Sequence, residues 1–258
     1  MNKSEENIIA VYKPVGITPF QAIEKLKNLR SKYCEQKISY AGRLDPMAEG
    51  ILLLLIGDEN KKRKEYEGLE KVYESEIVLG ISTDTYDGLG LIQNIHLEPV
   101  RIKDVEDALE KMIGIQDQSY PPFSSKPVGG HPLYWWAREN RLTEISLPFK
   151  KIKIDEIEKI SEENVVIKDL VKNNLEKISK IQGNFRQGEI KKTWRDLEQK
   201  HQKDSVVIVG IRVRCSSGTY VRGIANALGD ALGVGAFAYS IKRIQVGKYS
   251  LKDCLEIV

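Results

Sequence analysis

Apolar residues recur along the chain with two different spacings, and the first spacing predicts β-strands. The clearest case lies between Val207 and Val213, where valine or isoleucine occupies every second position. Another is the apolar run Ile51 to Ile56, which lies between two glycines and has the length of a strand. The segments with strand character are residues 8–12, 51–56, 72–79, 151–158, 206–215 and 241–249.

The second spacing, with apolar residues three or four positions apart, predicts amphipathic helices. One begins after Thr18, which is suited to an N-cap, with Pro19 in the first turn. Others are predicted after Asp104 as a cap, over residues 133–142, and after the turn at residues 216–218. Strands and helices are mixed without the regular alternation of a parallel α/β fold. We therefore expect the α+β class, with a mainly antiparallel sheet.

Three segments do not fit either spacing and are expected to lie outside the sheet. Residues 39–49 carry Gly42 and Pro46, are followed by Gly50, and predict a loop. Residues 120–132 hold four prolines and two adjacent glycines, so an irregular loop is expected there. Residues 170–203 are strongly charged and predict one or two helices beside the sheet. Since no repeat or flexible linker divides the chain, residues 1–258 are expected to form one domain.

Composition narrows the class of protein but not its activity. Hydrophobic residues make up 41% and charged residues 30%, as in soluble globular proteins. No apolar run approaches the roughly 20 residues of a membrane helix, and the polar N-terminus lacks a secretion signal. We therefore expect a cytoplasmic protein. The three cysteines and three histidines show no metal-ligand spacing, so neither a metal site nor a disulfide framework is expected.

Basic residues form local runs, although the net charge is only +3. Such runs occur at residues 61–64, 150–151 and 191–192, the last close to Arg195. They are typical of a nucleic-acid contact, but equally of the solvated face of a protein rich in lysine and glutamate. Charge alone leaves both interpretations open.

The segment most suggestive of chemistry surrounds Asp45, which lies between two glycines and directly before Pro46. Proline restricts the backbone of the residue before it, so the Asp45 carboxylate is presented by a stiff loop. One interpretation is a catalytic carboxylate. The other is an Asx-type turn that Pro46 completes. The residues alone do not decide between them.

The stretch from Gly42 to Leu52 resembles the signature loop of TruB-type pseudouridine synthases, Gly-x-Leu-Asp-Pro-x-Ala-x-Gly-x-Leu. Three further segments resemble the same family in the same order. They are Lys13-Pro14-x-Gly16, residues 71–88 with Lys71-Val72-Tyr73 at their start, and Ser216-Ser217-Gly218-Thr219-Tyr220-Val221-Arg222. The resemblance runs from about residue 9 to about residue 249, with a divergent charged insertion near 170–203.

What the resemblance implies is a cofactor-free isomerase with the pseudouridine synthase fold, a mixed and mainly antiparallel sheet flanked by helices. Its substrate would be a uridine in folded RNA, with the T-loop of tRNA as the leading expectation. The target nucleotide must leave its stack to be reached. By resemblance Asp45 is the nucleophile, Arg222 pairs with it, and Tyr73 stacks on the uracil and serves in proton transfer.

The resemblance also implies substrate contacts at Lys13, Tyr40, Arg43 and Tyr220. Lys13 would support the site or bind a phosphate, or else lie exposed in solvent. Tyr40 stands where many members of the family carry a histidine that keeps the flipped-out bases apart. A tyrosine can still stack on a base, so altered flipping is expected rather than an inactive fold.

Many members of the family continue into a small RNA-binding PUA module, whereas this sequence ends soon after the last motif. RNA affinity is therefore expected to come from the catalytic domain, through residues 61–64 and the insertion around Lys191 and Arg195. A monomer is expected. The alternatives are the same chemistry on another RNA, a noncatalytic RNA-binding or tRNA-folding protein on the same fold, and a structural domain with no RNA role.

Overall fold

The apolar runs of the sequence lie side by side in one ten-stranded sheet in the computed structural model, which describes residues 7–257. The strands are β1 (Ile8–Lys13), β2 (Ile38–Ala41), β3 (Ala48–Ile56), β4 (Lys71–Leu79), β5 (Ile81–Thr83), β6 (Ile92–Ile95), β7 (Gly114–Ser119), β8 (Pro127–Val128), β9 (His131–Pro132), β10 (Phe149–Val166), β11 (Ser205–Cys215), β12 (Ala236–Val246), β13 (Tyr249–Ser250) and β14 (Leu255–Glu256). The α-helices are α1 (Pro19–Leu29), α2 (Arg63–Gly68), α3 (Ile102–Glu110), α4 (Leu133–Arg138), α5 (Ile167–Ser179), α6 (Gln187–His201) and α7 (Val221–Leu232).

Strand order in the sheet is β14-β1-β3-β12-β4-β11-β10-β7, with β2 on β3 and β13 on β12. The pairs β1–β14 and β3–β12 are parallel, and the other pairs of this sheet are antiparallel. Two small hairpins, β5–β6 and β8–β9, lie apart from it. The expected class, α+β with a mixed and mainly antiparallel sheet, is confirmed.

Strand β3 is apolar from Ile51 to Ile56 because both of its faces are covered. Leu52 and Leu54 face the buried side of α1, while Leu53 and Leu55 contribute to a second cluster on the opposite face. A strand buried on both faces needs no polar alternation, which explains the unbroken run in the sequence. Helix α1 begins as expected, because Thr18 forms a reciprocal capping box with Gln21.

The other half of the sheet also carries helices on both faces. Helices α3 and α7 cover one face, and Val221, Ile224 and Leu228 of α7 pack there as the spacing predicted. Helices α5 and α6 cover the other face. At their centre the fully buried Trp194 lies edge-on to Phe237, with 5.4 Å between ring centroids. The charged segment is thus helical and lies beside the sheet, as expected.

Several boundaries differ from the sequence prediction, most of all that of β10, which runs from Phe149 to Val166 where a strand over residues 151–158 was expected. The loop expected over residues 39–49 is confined to residues 42–47, because β2 pairs with β3. The last long strand begins at Ala236, well before residue 241, since Gly233 ends α7 with a positive φ and leaves Phe237 free to enter the core. Tyr249 belongs to the separate β13. Helix α4 stops at Arg138 instead of residue 142.

Asp104 is not the cap of α3. The N-cap is Arg101, and Asp104 lies in the first turn, where its carboxylate accepts two hydrogen bonds of 2.8 Å from the Arg101 guanidinium. A carboxylate in the first turn also interacts favourably with the helix dipole. Asp104 therefore does mark the start of α3, but it lies three residues after the N-cap.

The sequence also led us to expect no membrane helix, no disulfide framework and no secretion signal. Between residues 7 and 257 no helix is long and apolar enough to cross a membrane. The three cysteines, Cys34, Cys215 and Cys254, are free thiols. The first six residues, on which the expectation of no secretion signal rests, lie outside the described residues.

Candidate active site

A cleft of about 1030 Å³ opens where the loop between β2 and β3 meets the start of α7. Distant parts of the sequence meet in its lining, including the turn after β5 and the loop after β7. The residues expected at the site that line this cleft are Tyr40, Arg43, Asp45, Tyr73, Tyr220 and Arg222. Lys13 is not part of the lining.

The Asp45 loop is held from several sides. Ala48 N donates to Asp45 O at 3.0 Å, which closes the turn into β3. Gly16 N donates to Pro46 O at 2.9 Å, so the turn after β1 supports the residue next to Asp45. The Asp45 side chain keeps 36% of its surface exposed and opens onto the cleft. A carboxylate on a braced loop is therefore available to a molecule in the cleft.

Arg222, the second residue of α7, is buried and binds three parts of the chain at once. Its Nε donates to Asp45 Oδ2 at 2.8 Å, Nη1 donates to Thr85 O at 2.8 Å, and Nη2 donates to Phe123 O at 3.2 Å. The planar guanidinium suits such divided contacts, because its donors point in set directions. The expected pairing of Arg222 with Asp45 is thus present. It orients the carboxylate through a charge-assisted hydrogen bond.

A second carboxyl group, Asp87, lies close to this pair and was not expected at the site. It is buried, and its Oδ1 accepts hydrogen bonds from Thr85 Oγ1 at 2.7 Å and from Leu89 N at 2.9 Å. Burial raises the pKa of Asp87 to about 6, although the Arg222 guanidinium opposes this rise. The sequence of residues 83–88 predicts a polar turn, and that pattern does not show whether Asp87 is buried or solvated.

Tyr73 lies on β4 with its ring in the lining of the cleft and only 8% of its surface exposed. Burial raises the pKa of the Tyr73 hydroxyl, and the nearby Arg243 opposes that rise. The side chain is therefore a neutral phenol near pH 7, able to stack and to donate a hydrogen bond.

Arg243, on β12, is a residue that no pattern in the sequence selects. It is fully buried, and its guanidinium donates to Ile51 O at 2.7 Å, Arg43 O at 3.2 Å and Gly42 O at 3.3 Å. These bonds tie the start of the Asp45 loop to the sheet. In the sequence Arg243 follows Lys242 in an ordinary strand pattern, so no local signal marks it.

Of the three roles that the sequence suggested for Lys13, only support of the site is compatible with its location. Its side chain has no exposed surface, and its ammonium group donates to Pro14 O and Ile17 O, both at 2.9 Å. Burial lowers the pKa of Lys13 to about 7. Neither a phosphate contact nor an exposed lysine fits this location. The side chain instead closes the turn that precedes α1.

The rim of the cleft carries aromatic and basic side chains. Tyr40 lies beneath the Arg63 guanidinium, 5.4 Å from the ring centroid. Tyr220 and Tyr120 meet edge to face at 5.7 Å. Phe20 is 63% exposed and belongs to the same lining. Partly or fully exposed aromatic rings of this kind are suited to stacking on unpaired bases.

Most of the basic run at residues 61–64 is neutralised by nearby acids. Lys61 pairs with Asp58, Lys62 with Glu59, and Arg63 with Glu67. Within the described part of the chain Lys64 has no such ion pair, and it lines the cleft. Lys191 and Arg195 lie on α6 and are not in the cleft lining. The arrangement therefore favours Lys64 alone of these candidates for a contact in the cleft.

No group of three or more histidine, cysteine, aspartate or glutamate side chains among residues 7–257 is arranged to hold a metal ion.

The fold that carries this site is shared with solved structures. A solved Cbf5-Nop10-Gar1 complex matches 96% of this chain and 51% of its own, with a TM-score of 0.57 and 17% identity. An H/ACA RNP bound to a substrate RNA containing 2'-deoxyuridine matches 97% of this chain and 50% of its own, with a TM-score of 0.56 and 16% identity. This chain spans about half the length of both.

Sequence comparison then identifies the family. The model of the "TruB family pseudouridylate synthase (N terminal domain)" matches residues 30–175. The tRNA pseudouridine synthase B of Blochmanniella pennsylvanica is 32% identical over 96% of this chain and 77% of that protein. The enzyme of the same name from a strain of Bacillus cereus is 29% identical over 97% of this chain and 69% of that protein. The chain belongs to the TruB family.

Proposed function

We propose that this protein is a cofactor-independent pseudouridine synthase that isomerises a uridine in the T-loop of tRNA. The observation that carries the proposal is the Asp45–Arg222 pair, which opens onto a cleft large enough to hold a nucleotide. The names of the relatives support tRNA as the substrate. An enzyme is favoured over a noncatalytic binder, since RNA binding alone has no use for a buried arginine holding an exposed carboxylate.

In the proposed reaction the Asp45 carboxylate acts as the nucleophile on a flipped-out uridine. The bond between the uracil nitrogen and the ribose breaks, the base turns within the cleft, and a carbon of the base is joined to the ribose. That step also breaks the bond between Asp45 and the nucleotide; the carbon then loses its proton and the freed ring nitrogen gains one, so that the product is an isomer of the uridine. Arg222 holds Asp45 throughout, and the neutral phenol of Tyr73 provides a stacking surface beside it.

The RNA contacts are assigned to the rim. Tyr40 and Tyr220 are proposed to stack on bases, while Arg43 and Lys64 meet phosphates.

One chain supplies every group of the Asp45–Arg222 site, so the proposed reaction needs no second subunit, and we retain the expectation of a monomer. We also retain one catalytic domain over residues 1–258, acting in the cytoplasm.

The test is incubation of the purified protein with unmodified, transcribed tRNA in the absence of added cofactors. Pseudouridine is mapped by carbodiimide labelling and primer extension. We expect one stop in the T-loop with the wild-type protein and none with Asp45→Asn, because the amide keeps the shape of the side chain but is not a nucleophile.

Binding of the same tRNA to Asp45→Asn is the control, and it should remain close to that of the wild type. A wild-type protein that binds tRNA without forming pseudouridine would refute the proposed activity on this substrate. A fully active Asp45→Asn variant would refute the assignment of the nucleophile.

A further inference from the structure

The loop between α5 and α6 forms part of the wall of the cleft. Its residues Asn184, Phe185 and Arg186 line the cleft together with Asp45 and Arg222. The two charged helices lie beside the sheet, but their connecting loop returns to the site. The charged insertion near residues 170–203 therefore contributes directly to the surroundings of the catalytic pair.

Both helices are anchored on the segment that follows β5. The indole nitrogen of Trp194 in α6 donates to Gly90 O at 3.3 Å. Asn174 in α5 is fully buried and donates to Gly88 O at 2.9 Å. The helical pair is thus packed and hydrogen-bonded to the same chain segment that carries Thr85 and Asp87. Its connecting loop is held in a defined position relative to the site.

The α5–α6 loop also contacts the turn that supports Asp45. Gln182 N donates to Gly16 O at 3.2 Å, and Gln182 Oε1 accepts a hydrogen bond from Gln21 at 2.7 Å. Gly16 in turn donates to Pro46 O. There is no room for a side chain at this contact, since a Cβ on Gly16 would lie 2.7 Å from Lys180 O.

Arg186 makes the most specific contacts of this loop. Its backbone has the left-handed conformation, with φ of 63°, which a residue with a side chain adopts rarely. Its Nη1 donates to Asp84 Oδ2 at 2.8 Å, and the ion pair is largely buried, with 18% of each side chain exposed. Its guanidinium also lies over the ring of Phe123, 4.1 Å from the centroid.

These two contacts fall on the two segments that orient Arg222. Asp84 precedes Thr85, whose carbonyl accepts from Arg222 Nη1, and the carbonyl of Phe123 accepts from Arg222 Nη2. We propose that Arg186 is a positioning residue, which clamps the Asp84–Thr85 turn and Phe123 so that their carbonyls orient Arg222 towards Asp45. The proposal rests on the proposed pseudouridine synthase activity.

The test compares Arg186→Ala with the wild type in single-turnover reactions at saturating tRNA. We expect the rate to fall about 10- to 100-fold, because small errors of position are costly for reacting groups, with the Kd for tRNA within about threefold. Arg186→Lys should restore part of the rate, because it keeps the charge opposite Asp84 but loses the planar contact with Phe123.

A second readout needs no activity. Hydrogen exchange of the amides in residues 120–125 should be faster in Arg186→Ala than in the wild type, since this loop loses its clamp. Arg195→Ala is the matched control, because Arg195 is an exposed arginine of the same helical pair that is not in the cleft lining. It should change neither the rate nor the exchange.

Two results would overturn the proposal. One is an Arg186→Ala protein with wild-type rate and exchange. The other is a raised Kd with an unchanged rate at saturation, which would make Arg186 an RNA contact instead.

If Arg186→Ala does not fold, Phe123→Leu tests the same link, because it removes the ring face and keeps the carbonyl. If the wild type forms no pseudouridine, the proposed function fails, and the exchange measurement still decides whether the clamp exists.

Discussion

At the scale of single residues, the site depends on charged side chains that are buried and desolvated. Arg222, Arg243 and Lys13 are buried, and each donates to backbone carbonyls near the Asp45 loop. A buried cation is tolerated only where its donors are satisfied, so these residues act as braces whose loss would leave unpaired carbonyls. Asp87 is the corresponding buried anion, and its environment leads to a testable dependence on pH.

Asp87→Asn should change the pH dependence of stability. The folded-state pKa of about 6 lies above the ordinary aspartate value of 3.8, so the folded protein holds the proton more tightly than the unfolded chain. The resulting stabilisation is present below about pH 4 and is lost as the pH rises through 6, a difference of about 3 kcal/mol in unfolding free energy. Because the asparagine side chain does not titrate, Asp87→Asn should not lose this stability as the pH rises.

The measurement is urea unfolding of both proteins between about pH 4 and pH 7. The wild type should lose stability relative to Asp87→Asn across that range. Two curves that run parallel would show that the Asp87 carboxyl does not titrate differently in the folded and unfolded states.

At the scale of elements, the junction of β3 and β12 connects the core to the Asp45 loop. Gly50 pairs with Lys13 of β1 on one side and with Arg243 of β12 on the other. Its φ is 108°, and a Cβ there would lie 2.3 Å from Arg243 O. The chain can make the close parallel pairing of β3 with β12 only because this position has no side chain.

Gly50→Ala should therefore destabilise the protein by about 3 kcal/mol or more, since the atom it meets belongs to the backbone of a central strand and cannot move aside. Gly57→Ala is the matched control. Gly57 also has a positive φ, 59°, but a Cβ there would have no neighbour within 4 Å. Its cost should be about 1 to 2 kcal/mol, from the left-handed backbone alone.

Urea unfolding of the two variants separates the steric cost from the conformational cost. Equal losses would mean that β12 shifts freely to accommodate the methyl group. The Gly50 variant should also lose activity, because Arg243 holds the Asp45 loop from the same point of the strand.

At the scale of the whole molecule, the distribution of charge matters more than its sum. The net charge is +3, yet many of the basic side chains are ion-paired within the described residues. The cleft collects lysine and arginine side chains for which the structure shows no carboxylate partner within residues 7–257, among them Arg43, Lys64 and Lys150. An RNA backbone that enters the cleft would therefore meet cations that are not already neutralised by an ion pair.

Lys64→Gln and Lys61→Gln test this distribution within one basic run. Lys64 lines the cleft, whereas Lys61 is paired with Asp58 outside it. Lys64→Gln should weaken tRNA binding and lower the slope of log K against log salt by about one, the effect of one lost phosphate contact. Lys61→Gln should leave both quantities unchanged. The measurement is filter binding between about 50 and 200 mM salt, and equal slopes for the two variants would contradict the assignment.

The sequence by itself determined what depends on near neighbours along the chain. The strands over residues 51–56 and 206–215, the capped start of α1 and the buried stripe of α7 follow from spacing and capping, which act within a few residues. Asp45 could also be selected from its flanking glycine and proline, and the family motif assigned it a role.

Only the tertiary structure decided which charges are buried and which partners they meet. Arg222 reaches Asp45 across 177 positions of sequence, a pairing that the family resemblance implied but that no local pattern shows. No local pattern shows that Lys13 and Arg243 are buried or that Arg186 pairs with Asp84. Burial and pairing of charges depend on which segments pack together, and the desolvation that follows has no signature in local composition. The same reason explains why the 170–203 segment, charged in sequence, proves to be part of the wall of the site.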